Sequence, residues 1–465
     1  MPWLLNLLYA TVIVAAMPYL LYQRIRWGKY RTGWSEKLLG RVPVLEPTAE
    51  RVWFHAVSVG EVLLLRGLIA DYRQRRPQAE IVLTTTTATG FDVARKHYPD
   101  LVVCYCPLDF SWAVRRAIAR LKPTALVLAE LELWPNLILE ASSAGLRLAI
   151  ANGRLSEKSF RGYRTLRPLV RRLLAKFDMI AAQNEEYAAR FRELGAPSDR
   201  VIVTGSVKYD GVQTDRQNPR TLELRRSFGI GDDEIVFIAG STQHPEEEYA
   251  LATWQELRRD FPRLRLILVP RHKERFDDVA RLIEGRGLPL LRRSTTSERR
   301  PSGSEPQRDD ASKRSLTVAA PIAQLSSLDP QPSTILLLDT LGELAACWGL
   351  ADIAFVGGSL TNRGGQNMIE PAAYGAAVLF GPNTRNFRDA VSLLLSGNAA
   401  EVVSDQTGLT VAVRRLLCEE SARRSMGMRA QSAVATHRGA TVRTLEVLVP
   451  ALASPTHRPH RVRAA

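Results

Sequence analysis

The chain has 465 residues, enough for two or three domains with cores of their own, and its 45% hydrophobic content is that of a folded protein rather than a disordered one. Its formal net charge of +15 points to anionic partners: nucleic acid, an anionic membrane surface or phosphorylated substrates. Four cysteines, Cys104, Cys106, Cys347 and Cys418, lack metal-site spacing and are too few for a disulfide scaffold, and the seven histidines form no HExxH-type cluster, so no metal site is expected.

Residues 2–23 carry no charge and are strongly apolar over 10–21, a length that suits one membrane-spanning helix. Arg24, Arg26, Lys29 and Arg31 follow, and by the positive-inside rule they put everything after them on the cytoplasmic side. Residues 1–28 are therefore expected to be a membrane anchor. Asn6, Pro18 and Gln23 also suit a helix lying in the membrane interface. A cleaved signal peptide would carry its charges before the apolar run, not after it.

The next stretch, 29–210, alternates strand and helix. Residues 51–57 read as a strand, Ser58-Val59-Gly60 as a turn, and 61–73 as a helix with Leu64, Leu65, Leu68 and Ile69 inward. Glu61 thus stands at a helix N-terminus beyond the carboxyl end of a strand, the edge where open α/β sheets bind ligands. A capping carboxylate is the simpler reading of the same position. Strands are expected at 80–86, 101–105, 125–129, 146–151, 180–182 and 201–204, and helices at 90–97, 111–120 and 186–194. Repeated β–α units predict a parallel, doubly wound sheet. Residues 153–176 carry Arg154, Lys158, Arg161, Arg164, Arg167, Arg171, Arg172 and Lys176 against Glu157 alone, which reads either as a solvated helix face or as a surface for anionic headgroups.

The polar segment 211–221 reads as a linker, and 222–450 as a second α/β domain. Its strands are expected at 235–239, 264–269, 335–338, 353–356 and 377–380, and its helices at 246–261, 276–285, 341–349 and 368–374. Residues 292–333, rich in Ser, Pro, Arg and Asp, read as a disordered insertion. Residues 409–452 read as helical, and 451–465 as a basic tail. Strand 353–356 ends in Gly357-Gly358, and a loop with Gly364 and Gly365 leads to a short helix. Such a loop either offers free backbone N–H groups and a positive helix end to a phosphate, or is an ordinary β–α turn. Asn367 stands three residues before Glu370, the spacing of a capping box. Two doubly wound domains predict a ligand cleft between facing strand ends, with Glu61 on one wall and the 357–370 loop on the other.

Several segments are specific enough to carry a resemblance. They are Ser58-Val-Gly-Glu61; Glu130-x-Glu132-Leu-Trp-Pro135; Ile150-Ala-Asn152-x-Arg154-Leu-Ser156; Ala181-Ala-Gln183-Asn-Glu185; Gly205-Ser-x-Lys208-Tyr-Asp210; Val269-Pro-Arg271-His272; Asp339-Thr-x-Gly-Glu343-Leu; and Phe355-Val-Gly-Gly-Ser359-Leu. In this order, from the anchor to about residue 435, the chain resembles the 3-deoxy-D-manno-octulosonic acid (Kdo) transferases, membrane-anchored GT-B glycosyltransferases of lipopolysaccharide synthesis. The resemblance implies an α/β GT-B architecture and transfer of Kdo from CMP-Kdo to the lipid A precursor (lipid IVA) at the cytoplasmic face of the inner membrane. It makes Glu61 the general base and puts Ser58, Gly60, Glu130, Glu132 and Arg154 on the acceptor side. Lys208, Ser241, Thr242, Arg271, His272, Gly342, Glu343, Gly357, Gly358, Ser359, Asn367 and Glu370 fall to the CMP pocket. The implied partners are CMP-Kdo, the lipid A precursor and an anionic membrane surface, with no nucleic acid, cofactor or metal.

The chain departs from the family where Gln243 and Gln366 stand in place of usual histidines, and its 292–333 insertion is longer than expected. The chemistry agrees on its own terms. CMP leaves as a phosphate monoester, which needs no general acid, so one carboxylate acting on the acceptor hydroxyl suffices. Arg271, Lys208 and a helix N-terminus can do the work of a metal on a single phosphate. Another GT-B sugar-nucleotide transferase or an epimerase is the alternative of the same class. A membrane-tethered nucleic-acid-binding protein would want aromatic stacking platforms among the basic residues, and 153–176 offers only Phe160 and Tyr163.

Overall fold

The computed structural model describes residues 2–27, 32–297 and 333–453. The chain forms two compact units. The first comprises 1–211 together with 437–465, and the second 212–436.

The first unit is built on seven parallel strands: β1 (Arg51–His55), β2 (Glu80–Thr85), β3 (Val102–Tyr105), β4 (Ala125–Ala129), β5 (Arg147–Gly153), β6 (Met179–Ala182) and β7 (Val201–Val203). Their order across the sheet is β3-β2-β1-β4-β5-β6-β7. Helices cover both faces, so the inner strands are apolar throughout rather than alternating. On β1, Trp53 packs to one side with Leu126, Leu148, Leu137 and Phe177. Val52 and Phe54 face the other side, with Leu65, Leu68 and Val127. The sheet order reverses between β1 and β4, where β1 leads to a neighbour on one side and β4 begins the run on the other; ligands bind at such a switch point.

The second unit repeats the plan with β8 (Ile235–Thr242), β9 (Leu264–Pro270), β10 (Leu290–Arg292), β11 (Ile335–Leu337), β12 (Ile353–Val356), β13 (Ala377–Phe380) and β14 (Ala400–Val402). The order is β10-β11-β9-β8-β12-β13-β14, all parallel, with its switch point between β8 and β12. Phe237, Phe355 and Leu379 pack here on Leu251 and Trp254 of helix Glu246–Leu257.

Four expectations change. Residues 2–27 do form a helix, Pro2–Trp27, but no described helix is long and apolar enough to cross a membrane. Asn6, Thr11, Pro18 and the tyrosines dilute its apolar run, and Asn6 and Tyr9 have partners elsewhere in the first unit. Asn6 donates to Ser111 Oγ at 2.8 Å and accepts from the Ser111 N–H at 3.1 Å. Tyr9 donates to the Asp109 carboxylate at 2.9 Å, and that same carboxylate accepts the N–H groups of Asn136 and Leu137.

The linker ends earlier than 221. Asn218 caps helix Pro219–Ser227 by accepting the Thr221 N–H at 3.1 Å, and Thr221 is buried. The 292–333 insertion begins later. Arg292 completes β10, and Arg293–Ser297 forms a helical turn; 298–332 lie outside the described residues, as do 28–31 and 454–465.

The last helix, Ala440–Ala453, belongs to the first unit, whereas the sequence pattern assigned everything to 450 to the second domain. Leu445, Leu448 and Leu452 complete the Val52–Phe54 face of the core, and a fully buried leucine is worth roughly 1.5–3 kcal/mol. Asp210 holds the helix in register by accepting the N–H of Gly439 at 2.6 Å and that of Ala440 at 3.3 Å.

Candidate active site

At the switch point of the first sheet, β1 runs through Ala56 and Val57 into helix Val59–Arg75, with Ser58 as its N-cap. The Glu61 carboxylate folds back on this turn. It accepts the Val57 N–H at 2.8 Å and the Ser58 hydroxyl at 2.9 Å, while the Glu61 N–H points to Ser58 Oγ at 3.4 Å. This is reciprocal capping, so the simpler sequence reading is correct as far as it goes. Each oxygen keeps a second lone pair for another donor. A side chain on Gly60 would meet only Ser58 Oγ, at 3.8 Å, so packing does not require glycine there.

The other carboxylates arrive from β4. Glu130 adopts φ 54°, held by its N–H to the Ala151 carbonyl at 2.9 Å. Lys208 Nζ stands 2.8 Å from Glu130. Lys208 is positioned in turn by Asn152, whose amide oxygen accepts the Val207 N–H at 3.1 Å and whose carbonyl accepts from Gln183 at 2.9 Å. Two motif residues of no evident chemistry thereby deliver a third to the site. Burial, followed by the negative charge of Glu61, pushes the Glu132 carboxyl up to about 7. Burial also raises Glu61, against its hydrogen bonds from Val57 and Ser58; the nearby Glu130 raises it further and Lys208 opposes. A helix N-terminus favours the ionised carboxylate, but desolvation outweighs it here. Glu61, Glu130, Glu132 and Lys208 form one interacting group; Arg154 follows β5 at the same sheet edge, half-buried.

The corresponding corner of the second unit is organised by Glu246, which sequence patterning marks only as the start of a helix. Its buried carboxylate accepts four backbone N–H groups: Gln243 at 2.9 Å, Gly358 at 2.7 Å, Ser359 at 3.0 Å and Leu360 at 2.9 Å. Burial raises its pKa against these bonds. The N–H groups of Gly358, Ser359 and Leu360 are therefore engaged by a carboxylate and are not open to a phosphate. Gly357 is required by close approach: a Cβ there would lie 2.6 Å from Thr242 Cα and 2.8 Å from Glu246 Oε2. Ser359 is fully buried, with its hydroxyl bridging the Val356 carbonyl and the Gly381 N–H; Ser241 and Thr242 are buried as well. These residues build the loop rather than line an open surface.

The remaining candidates divide. Asn367 accepts the Ile369 N–H at 3.1 Å and donates to Glu370 at 3.0 Å at the start of helix Ile369–Ala373. Burial raises the Glu370 pKa, and the charge of Arg271 opposes it, so these two stand near each other. Arg271 and His272 are exposed after β9. Glu343 is bound by Arg293 at 2.9 Å, and Gly342 has φ 86° in the turn before it. Gln243 and Gln366 converge: a Cβ on Gly358 would lie 3.4 Å from the amide nitrogen of one and 3.3 Å from that of the other. Among the described residues, no three His, Cys, Asp or Glu side chains are grouped as a metal site needs.

The fold has relatives of known structure. A UDP-GlcNAc 2-epimerase from Neisseria meningitidis aligns with a TM-score of 0.54 over 86% of this chain and 99% of its own, at 12% identity, which makes the two-unit α/β fold common to both. Residues 29–211 match the family model described as 3-deoxy-D-manno-octulosonic-acid transferase (kdotransferase). The 3-deoxy-D-manno-octulosonic acid transferase of Haemophilus influenzae is 32% identical over 87% of this chain and 88% of its own. That of Bordetella pertussis is 34% identical over 86% and 87%. The chain belongs to the 3-deoxy-D-manno-octulosonic acid transferase family, and so to the glycosyltransferases.

Proposed function

We propose that this chain transfers Kdo from CMP-Kdo to the lipid A precursor, with Glu61 as general base and without a metal. The observation that carries the mechanism is the cluster of Glu61, Glu130, Glu132 and Lys208 at the switch point of the first sheet, in a chain of this family. The acceptor hydroxyl gives its proton to Glu61. Its oxygen bonds to the anomeric carbon, and the bond from that carbon to the phosphate oxygen breaks with its electron pair, releasing CMP. A raised Glu61 pKa strengthens the base, since proton transfer is most efficient when the pKa lies near the working pH. Lys208 offsets the charge of Glu130, so Glu61 can still ionise among its neighbours.

On the donor side we assign Arg271, Asn367 and Glu370 to CMP, with the glycine loop as the frame that Glu246 holds in shape. Membrane association, at the cytoplasmic face of the inner membrane, is assigned to helix Pro2–Trp27 lying along the lipid surface. Trp3, Leu7, Val14 and Ile25 are exposed on it, at 86%, 66%, 68% and 80%, and Arg24 and Arg26 suit anionic headgroups. The deciding experiment is mass spectrometry of lipid A precursor incubated with CMP-Kdo and the protein, with and without EDTA. An acceptor heavier by whole Kdo units in both samples is expected. An unchanged acceptor overturns the reading, and a product formed only without EDTA overturns its metal-free form.

A further inference from the structure

The second unit contains an open pocket of about 210 Å³ beside the glycine loop, lined by the polar Asn362, Asn383, Thr384, Arg385 and Arg388 together with Gly364 and Pro382. Its walls are two loops clasped together. The Asn383 N–H donates to the Ser359 carbonyl at 2.9 Å, and the Asn386 N–H to the Gly364 carbonyl at 3.0 Å. Arg385 reaches the Asn362 carbonyl at 3.1 Å with one Nη, which leaves the rest of its guanidinium edge for another acceptor. Gly364 has φ +90°, and a Cβ on it would lie 2.7 Å from Arg385 Cγ, so the clasp is built for glycine.

Two features give the pocket its chemistry. Arg388, exposed like Arg385, has no hydrogen-bond or charge partner among the described residues, and it is the first residue of helix Arg388–Ser396, whose N-terminus no side chain caps. The lining contains two guanidinium groups, two amides and a hydroxyl, and no carboxylate. That is a site for an oxyanion with hydroxyl neighbours. A single water needs only about 10–15 Å³ of such space, so the pocket has room for more than a lone oxyanion.

We infer that this pocket holds the carboxylate-bearing sugar of the donor, with Arg388 and Arg385 on its carboxylate. The inference rests on the proposed CMP-Kdo donor and concerns only the sugar half of it. It separates sugar recognition, by the loop after β13, from nucleotide recognition by Arg271 and Glu370.

The test measures CMP affinity by calorimetry and the KM for CMP-Kdo in the wild type and in Arg388→Ala, Arg388→Lys and Arg385→Ala. Loss of a charge-assisted hydrogen bond corresponds to about tenfold or more. Arg388→Ala is expected to raise the donor KM by about that factor while leaving CMP affinity and melting temperature within error, with partial rescue in Arg388→Lys. Arg385→Ala should do the same, with some loss of stability from the Asn362 contact. An unchanged donor KM in both alanine variants overturns the inference, as does a parallel loss of CMP affinity, which would put the nucleotide phosphate here. A rise confined to the acceptor KM also overturns it and assigns the pocket to a phosphate of the lipid. Wild-type protein that binds neither CMP nor CMP-Kdo refutes the donor assignment itself.

Discussion

The carboxylate of Glu246 reaches across 112 residues of sequence to accept the Gly358 N–H at 2.7 Å, and its other oxygen takes Ser359 and Leu360 in the same way. A negative charge supplied by the protein thus occupies the N–H groups that an external phosphate would otherwise attract. Glu246→Ala leaves several buried N–H groups unpaired, at about 1–3 kcal/mol each. The variant is expected to lose about 3 kcal/mol or more in urea unfolding and to bind CMP more weakly. Stability within error of wild type would mean that the glycine loop keeps its shape unaided.

For Glu61, the Gln variant keeps size and most hydrogen bonds but cannot accept a proton. Its kcat should fall by about 10²–10⁴-fold, with CMP affinity unchanged. Lys208→Ala removes the cation that helps Glu61 ionise, so the acid limb of the kcat–pH profile should move to higher pH. Movement to lower pH, or near-normal turnover in Glu61→Gln, would remove Glu61 from the role of base.

Glu132 has a folded-state pKa of about 7, above the ordinary carboxylate range. A carboxyl raised in the folded state favours folding while protonated and loses that advantage as pH rises through its folded value. The melting temperature of the wild type should therefore fall between about pH 5 and about pH 8. In Glu132→Gln, a neutral mimic of the protonated acid, this fall should flatten. An identical slope in both proteins would show that Glu132 is ordinary.

The strands were legible because each is a short apolar run closed by glycine or a polar turn, and the alternation of strand and helix gave both sheets. The extremities were harder. Strands β10 and β14, at the two edges of the second sheet and without a buried residue, were not read from the sequence. The fate of the last helix was not legible at all. Its leucines would fill either sheet, and the choice is made by Asp210, 229 residues before Gly439. In the site, Glu61, Glu130 and Glu132 were found through family motifs, and they meet; Lys208, which the same resemblance assigned to the CMP pocket, joins them through Glu130. Glu246 was missed because a glutamate in a helix's first turn is ordinary; the signal was its place just after Gly240-Ser-Thr242, opposite a glycine pair at the neighbouring strand end.

The insertion has a testable boundary. Arg292 binds Asp339 at 2.6 Å and Arg293 binds Glu343 at 2.9 Å, so the first residues assigned to the insertion fasten two motif acids. Replacing 298–332 by a short Gly/Ser loop should leave transfer nearly unchanged. Extending the replacement back to Arg292 should raise the donor KM and lower the melting temperature. Equal behaviour of the two variants would show that these ion pairs do nothing for the donor side.

Deleting 2–27 removes the partners of Ser111 and Asp109 but leaves Asp109 its bonds to Asn136 and Leu137. The shortened protein should fold, stay soluble without detergent, and fail to co-sediment with anionic vesicles that retain the full chain. Unaltered sedimentation would transfer the lipid contact to another surface, such as the basic helices Glu157–Thr165 and Arg167–Leu174.

The return of helix Ala440–Ala453 to the first unit sets an order of events during synthesis. Chains generally fold from the N-terminus as they leave the ribosome. Here the unit begun first cannot be finished first: its Val52–Phe54 face lacks Leu445, Leu448 and Leu452 until the whole second unit has been made. Through that interval the nascent protein carries one completed unit and one with an open apolar flank, which is where a chaperone would find its grip. A premature stop shortly before Ala440 would spoil the opposite end of the gene product from the one it shortens.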